Sequence, residues 1–321
     1  MNPRYLPGLI GAAAGAAALA AIAVNRGRAQ TARGSHQGSH SGSDGGSHQP
    51  EALQHIAAAR SFNRGSALLA LSVLADSAME HYRGSFENPA MYTPLISSTL
   101  SLLAGLHGGG DPRSNRHPAR HAIYLTAALA GVSGTAFHLY NVTRRPGGWS
   151  WNNLFHAAPI GAPMALLLSG ALGATAERLR DQPSVDPELF GMPAGRALGL
   201  LVAAGLVGTV AEAGLLHFRG SFQNPAMYAP VSLPPIAAAL LAQAALGEPR
   251  GRWFTRLWLR VTAALGLIGA GFHARGIARH QGGWRNWSQN LFNGPPLPAP
   301  PSFSALALAG LAALRLRETE Q

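Results

Sequence analysis

Apolar stretches long enough to cross a lipid bilayer recur along the whole chain. They run for about 17–24 residues each, the length that a helix needs to cross a hydrocarbon core. Nine can be marked, at 7–24, 65–82, 90–107, 120–140, 155–175, 196–216, 226–246, 255–274 and 298–315. Two or three could be buried helices of a soluble domain, but nine could not. The sequence therefore predicts an all-α integral membrane protein with about nine transmembrane helices.

Composition and charge exclude several functional classes. Only 12% of residues are charged, about half the usual share of a soluble chain. The 25 basic residues are all arginine and are scattered in connectors between apolar stretches, which argues against a nucleic-acid partner. The chain has no cysteine, so thiolate metal ligands and iron–sulfur clusters are impossible. It also lacks the glycine-rich phosphate loops that would indicate a nucleotide cofactor.

Two long phrases occur twice, in the same order. HYRGSFENPAMY at 81–92 matches HFRGSFQNPAMY at 217–228 at ten of twelve positions, and 135–159 matches 270–296. This predicts two tandem four-helix repeats, at 65–178 and 196–317, joined by a polar connector at 179–195. Within each phrase, Gly-Ser-Phe and Asn-Pro are typical of a tight turn between two spans.

The residues before the first repeat differ in character. Residues 1–25 are predicted to form an N-terminal membrane anchor, although their alanine-rich run also resembles a signal peptide. Residues 26–64 are rich in glycine, serine and histidine in their first half, and are predicted to be a flexible segment.

The charge pattern predicts an orientation in the membrane. Four spans per repeat is an even number, so both copies enter the membrane in the same direction and their motifs lie on one face. Eight arginines fall on the motif side and seventeen on the other side. Since positive loops stay in the cytoplasm, the motif loops are predicted to be extracytoplasmic in a bacterial-type inner membrane. Residues 25–64 would be cytoplasmic, and the tryptophans near the motifs would form an aromatic belt.

Histidines, acids and arginines recur at matched depth near the motif face. The candidate ligands of a haem or a transition-metal ion are His81, His138, His217 and His273, with Asp76, Glu80 and Glu212 as further metal ligands or their neighbours. Arg83 and Arg219 are candidate charge partners for the bound group. Carboxylates inside a membrane are costly and usually face a partner or a wet cavity. Imidazoles on facing helices are a common means of holding haem or metal.

These residues predict a membrane redox protein that binds a metal ion or haem at the extracytoplasmic end between its repeats. One alternative is a transporter or channel that uses the same polar residues. A second is a non-catalytic membrane subunit whose polar loops dock a partner subunit. In a third interpretation, the histidines and arginines only hydrogen-bond to loops and lipid headgroups. A relay of acids across the membrane is disfavoured, because Glu177, Asp181, Asp186 and Glu188 are assigned to a loop.

Overall fold

The computed structural model describes residues 49–182, 187–247 and 252–320. Eight long helices dominate this part of the chain: α1 (Gln49–Arg83), α2 (Thr93–Gly110), α3 (Pro118–Thr143), α5 (Gly161–Arg180), α6 (Ala194–Arg219), α7 (Ala229–Leu246), α8 (Trp253–Ala278) and α10 (Pro301–Thr319). Two short helices, α4 (Trp151–Phe155) and α9 (Trp287–Asn293), precede α5 and α10. Short 3-10 helices lie at Pro89–Tyr92, Pro225–Tyr228 and Gly283–Asn286, and a two-stranded hairpin pairs β1 (Glu188–Leu189) with β2 (Met192–Pro193).

The long helices coincide with the predicted apolar spans from 65 onward. The first predicted span, at 7–24, lies outside the described residues, as do residues 26–48 of the flexible segment and Asp186. Four helical segments are long and apolar enough to cross a membrane: Pro118–Thr143, Ala194–Arg219, Pro225–Leu246 and Trp253–Ala278. The chain is therefore a helical protein, and these four segments are consistent with an all-α membrane protein.

Apolar side chains cover the outward faces of these helices. Leu129 on α3 and Leu267 on α8 are 68% and 67% exposed, and Leu106 and Val207 are similarly open. A water-soluble monomer rarely exposes large apolar side chains along whole helices. Lipid chains are the solvent that matches such a surface, so the exposed faces agree with the apolarity of the four segments.

The helices of each half pack in a ring. In the first half α1 packs on α2 and α5, and α3 also packs on α2 and α5, so α1 and α3 lie at opposite corners. In the second half α6 and α8 lie at opposite corners between α7 and α10. The halves meet where α1 packs on α10 and α5 packs on α6. The largest apolar core lies along these central helices and includes Leu69, Leu172, Leu206 and Leu306.

Glycines allow close helix approaches inside the rings. A side chain at Gly131 of α3 would collide with the backbone of Leu167 on α5. A side chain at Gly266 of α8 would collide with Ser304 on α10. Small residues of this kind let membrane helices pack backbone to backbone, which brings α3 and α8 close to the helices that follow them.

Two assignments from the sequence are wrong. Residues 49–64 were expected within the flexible segment, but they form the first turns of α1 and bury Ala59 and Phe62 completely. The sequence there is rich in alanine, a strong helix former, and its apolar side chains reach the core. Glu177 was expected in a loop, but it lies in the last turn of α5 and is fully buried. Its burial is tolerated because Arg120 of α3 and Asn63 of α1 donate hydrogen bonds to its carboxylate.

Candidate functional site: paired histidines at one end of the helices

The repeated phrase folds into the same turn in both places. Ser85 and Phe86 take left-handed backbone angles, with φ of 53° and 48°, and Ser221 and Phe222 repeat them at 56° and 45°. Such angles are uncommon for residues other than glycine. The prediction of a turn is therefore right in kind, but serine and phenylalanine adopt the strained positions. At Gly84, a Cβ atom would lie 3.7 Å from the methyl carbon of Met91.

Asparagine and aromatic contacts complete each turn. The side chain of Asn88 accepts a hydrogen bond from the amide of Ala90 at 2.9 Å, and Asn224 does the same for Ala226 at 2.9 Å. These contacts cap the 3-10 helices, a role that asparagine favours. The rings of Phe86 and Tyr92 stack at 4.5 Å, and those of Phe222 and Tyr228 stack at 4.6 Å.

All four candidate histidines donate a hydrogen bond to a backbone carbonyl. His81 Nδ1 lies 2.7 Å from the oxygen of Met91, and His217 Nδ1 lies 2.8 Å from that of Met227. His138 and His273 make the same contact, at 2.7 Å each, with the oxygens of Pro159 and Pro296. A carbonyl can only accept, so Nδ1 carries the proton in each ring. In the neutral ring the lone pair is therefore on Nε2.

This arrangement has two consequences. Structurally, it ties the C-terminal parts of α1, α3, α6 and α8 to the segment that follows each helix. Chemically, it is the arrangement that orients histidines as metal ligands, since a ligating imidazole usually donates its other N–H to a carbonyl or carboxylate. The same contact at four positions, two in each half, leaves four oriented Nε2 lone pairs near one end of the helices.

Each half contributes two of these histidines, within electrostatic range of each other. His138 lies within electrostatic range of His81, and His273 lies within electrostatic range of His217. Each pair comes from opposite corners of one ring, α1 with α3 and α6 with α8. Within the described residues, no group of three or more histidine and carboxylate side chains is arranged to hold a metal ion. The histidines are thus distributed as two in each half.

The three candidate acids have different partners. Glu80 forms an ion pair with Arg83. Glu212 on α6 lies against Gly161, the first residue of α5, and its carboxylate receives that backbone amide. Negative charge is favourable at a helix N-terminus, so Glu212 joins the two halves. Asp76 is within electrostatic range of both Glu80 and Glu212.

The two candidate arginines differ between the halves. Arg83 donates a hydrogen bond to Glu80 on its own helix. Arg219 instead points Nη2 at the carbonyl oxygens of Leu154 and Ala157, each at 3.4 Å, and its guanidinium lies 5.5 Å from the ring centre of Phe155. Arg219 therefore holds the short helix α4 of the other half, which sequence spacing could not indicate.

Aromatic contacts cross between the halves at this end. Tyr82 of α1 stacks on Phe292 of α9 at 4.8 Å, and Phe218 of α6 meets Phe155 of α4 edge to face at 5.8 Å. The exposed tryptophans nearby are Trp149, Trp151, Trp284 and Trp287. Their position agrees with the predicted aromatic belt, because indole rings favour the membrane–water interface.

A charged cluster at the opposite end of the first half was missed by the sequence analysis. Arg120 donates to both carboxylate oxygens of Glu177 at 2.9 Å each and to Asp111 at 2.7 Å. Asn63 also donates to Glu177 at 3.3 Å, and Tyr124 donates to Asn63. Hydrogen bonds from Arg120 and Arg113 outweigh burial and lower the pKa of Asp111.

His117 and His121 in this region have the four-residue spacing of a metal-binding helix. The geometry gives them other roles. His117 Nδ1 accepts the amide of Arg120 at 3.4 Å as the N-cap of α3, and its own amide donates to Glu177. Burial lowers the pKa of His117. His121 Nδ1 is buried without a hydrogen-bond partner. The pair is thus part of the charged end of α3. The positions of these charges were visible in the sequence, but their burial was not.

Comparison with known proteins adds no family. No family model, no curated protein and no solved structure matches this chain.

Proposed function

We propose that this protein is a bacterial inner-membrane redox subunit that holds one haem between the two histidines of each half. His81 and His138 would hold the iron of one haem, and His217 and His273 would hold that of the other. The observation that carries the proposal is the shared tautomer, with Nδ1–H on a carbonyl in all four rings. A bound haem would supply one-electron transfer between ferric and ferrous iron.

The number of ligands favours haem over a protein-ligated metal ion. The porphyrin supplies four ligands to its iron, so two imidazoles complete the coordination. A zinc or copper ion held by protein alone needs three or four side chains, and the described residues bring no such group together. Opposite corners of a four-helix ring are suitable positions for a cofactor held in the bundle, and each histidine pair comes from such corners.

The two halves are proposed to be copies of one four-helix unit, related by a pseudo-two-fold axis along the membrane normal. Several matched contacts support this. The packing of α1 on α10 corresponds to that of α6 on α5, and the Tyr82–Phe292 contact corresponds to Phe218–Phe155. The histidine end would face the extracytoplasmic side, because most arginines lie at the other end. With the predicted anchor at 7–24, the chain would have nine spans.

Asparagine substitution separates ligation from the structural role of each histidine. The side-chain amide of asparagine can donate to the same carbonyl as Nδ1, but it has no counterpart of Nε2. The full chain would be produced with a haem supply and purified in detergent, and haem per chain would be measured from the reduced-minus-oxidised absorption spectrum. We expect two haems in the unchanged protein, one in His81→Asn or His217→Asn, and none in the double variant.

The matched control is His107→Asn. His107 is an exposed histidine in the last turn of α2, at the opposite end of the helices, so its replacement should leave haem content unchanged. A colourless protein that is nevertheless folded would refute the haem proposal. So would two haems retained in the His81→Asn/His217→Asn double variant, because the histidines would then serve only to hold the turns.

Asp76 lies within electrostatic range of Glu212, and this proximity favours a second candidate function, a transporter with a polar site between the halves. These two acids come from α1 and α6, the corresponding helices of the two halves. In proteoliposomes this function predicts cation or solute flux that falls on Asp76→Asn and persists in the His81→Asn/His217→Asn double variant. The haem function predicts the reverse dependence for the absorption spectrum.

A further inference from the structure

Two arginines of the second half are buried with unpartnered N–H groups. Arg252, just before α8, is 6% exposed, and Arg317, near the end of α10, is 8% exposed. Nε and Nη2 of Arg252 and Nε of Arg317 have no hydrogen-bond partner within 49–182, 187–247 and 252–320. An unsatisfied buried donor is costly, and more so when it belongs to a charged group. Both residues lie at the arginine-rich end, opposite the histidines.

Among the described residues, Arg317 pairs with Glu320, whereas Arg252 has no carboxylate partner of its own. Arg252 donates Nη1 to the carbonyl of Leu314 at 3.3 Å, and Arg317 donates Nη2 to that of Gly247 at 3.0 Å. The charged groups around Arg252 are Arg317, Arg256, Glu318 and Glu320. Each acid already has a partner: Glu318 pairs with Arg256, and Glu320 pairs with Arg317. Counted over the residues that the structure describes, three arginines against two glutamates leave one positive charge, and burial lowers the pKa of Arg252.

The first half contains a carboxylate at Glu177, where the second half has a leucine. Aligning α5 with α10 matches Arg180 to Arg317 and Glu177 to Leu314. The glycine contacts agree with this alignment, since Gly131 meets Pro163 and Gly266 meets Pro300. In the first half the Glu177 carboxylate lies beside Arg180, 3.4 Å from its Nε. In the second half an apolar leucine occupies that position, so the positive charge of Arg317 and Arg252 lacks this counterpart.

We infer that Arg252 and Arg317 form a binding site for a phosphate-type oxyanion, which takes the place that the Glu177 carboxylate fills in the first half. Guanidinium groups bind phosphate through charge-assisted hydrogen bonds. The oxyanion can come from the headgroup of an anionic phospholipid or from free phosphate. Basic pockets between membrane helices at this face are typical sites for anionic headgroups. Trp253, next to Arg252, is 68% exposed, as expected for a residue at headgroup depth.

Thermal unfolding of the delipidated, detergent-purified full chain tests this site. Tryptophan fluorescence would be followed with added phosphatidylglycerol, phosphatidylcholine, or sodium phosphate matched in ionic strength by sodium chloride. We expect phosphatidylglycerol to raise the apparent Tm by roughly 5 °C or more when it is present at about a hundred times its Kd. A response to phosphatidylglycerol alone identifies a lipid headgroup, and a response to phosphate as well identifies free-oxyanion binding.

Three variants make the test specific. Arg252→Gln should abolish the shift. Arg315→Gln removes the same charge from an exposed neighbour at the same end of α10 and should retain it. Leu314→Glu introduces the carboxylate of the first half, so this variant should melt higher than the unchanged protein without any ligand and should respond less to it. No shift with either oxyanion, or an equal loss of the shift in Arg315→Gln, would overturn the inference, and Arg252→Gln decides the matter if Leu314→Glu does not fold.

Discussion

Replacing Glu177 with leucine tests how strongly the buried charges hold the first half together. The carboxylate accepts both Arg120 contacts, at 2.9 Å each, the amide of His117 at 2.9 Å and the side chain of Asn63 at 3.3 Å. Leucine is also the residue at the corresponding position of α10, Leu314. The helix itself should therefore accept the change, and the effect should come from the lost carboxylate.

The expected loss of stability follows from the charges left behind. Arg120 is 2% exposed and Glu177 is completely buried, so removing the acid leaves Arg120 with Asp111 as its remaining carboxylate. Breaking a buried ion pair by removing one partner typically costs about 3–5 kcal/mol. In α8 the position that matches Arg120 is Thr255, at the same offset that matches Gly131 with Gly266. Replacing Arg120 with threonine as well therefore removes the orphaned charge. We expect the double variant to recover at least about half of the loss, a coupling that a double-mutant cycle would measure.

The assay is the midpoint of unfolding in mixed detergent micelles as the fraction of denaturing detergent rises, followed by circular dichroism. Asp181→Asn is the matched control, because its ion pair with Arg116 is open to solvent, with side chains 40% and 44% exposed. Exposed pairs contribute about 0–1 kcal/mol. A Glu177→Leu protein within about 1 kcal/mol of the unchanged protein would refute the reasoning, as would a double variant no more stable than the single one.

Three further predictions concern acid and packing. Because the pKa of His117 is lowered by burial, the unfolded chain binds that proton more readily, so stability should fall as the pH drops below about 6.5, and less in His117→Asn. Because the pKa of Asp111 is lowered, its contribution is present above about pH 3.9 and should be lost as the pH falls further; acid titration of Asp111→Asn should lack this component. Gly131→Ala should lower the free energy of unfolding by about 1–3 kcal/mol, because the added methyl meets the backbone of α5. Gly110 has open space around it, so Gly110→Ala should leave the free energy of unfolding nearly unchanged.

The helices were predictable because their signal is local. Apolar stretches of membrane length mark α2, α3 and α5 to α8 within a few residues of their observed ends. The repeated phrases likewise placed a turn after His81 and after His217, since Asn-Pro and Gly act through neighbouring backbone angles. Repetition also identified the four histidines, because a residue retained in two copies is visible without any knowledge of its contacts.

What the histidines and charges contact was decided by the tertiary structure. Pairing of His81 with His138 depends on α1 and α3 standing at opposite corners of a ring, and their Nδ1 partners are carbonyls 10 and 21 residues away. Glu177 looked like a loop acid because three charges follow it within four residues. Only packing of α5 against α1 and α3 buries it beside Arg120.

The sequence determined which segments are helical and which residues recur, since both depend on near neighbours. Burial and pairing depend on segments far apart in the chain, so only the folded arrangement of the helices decided them.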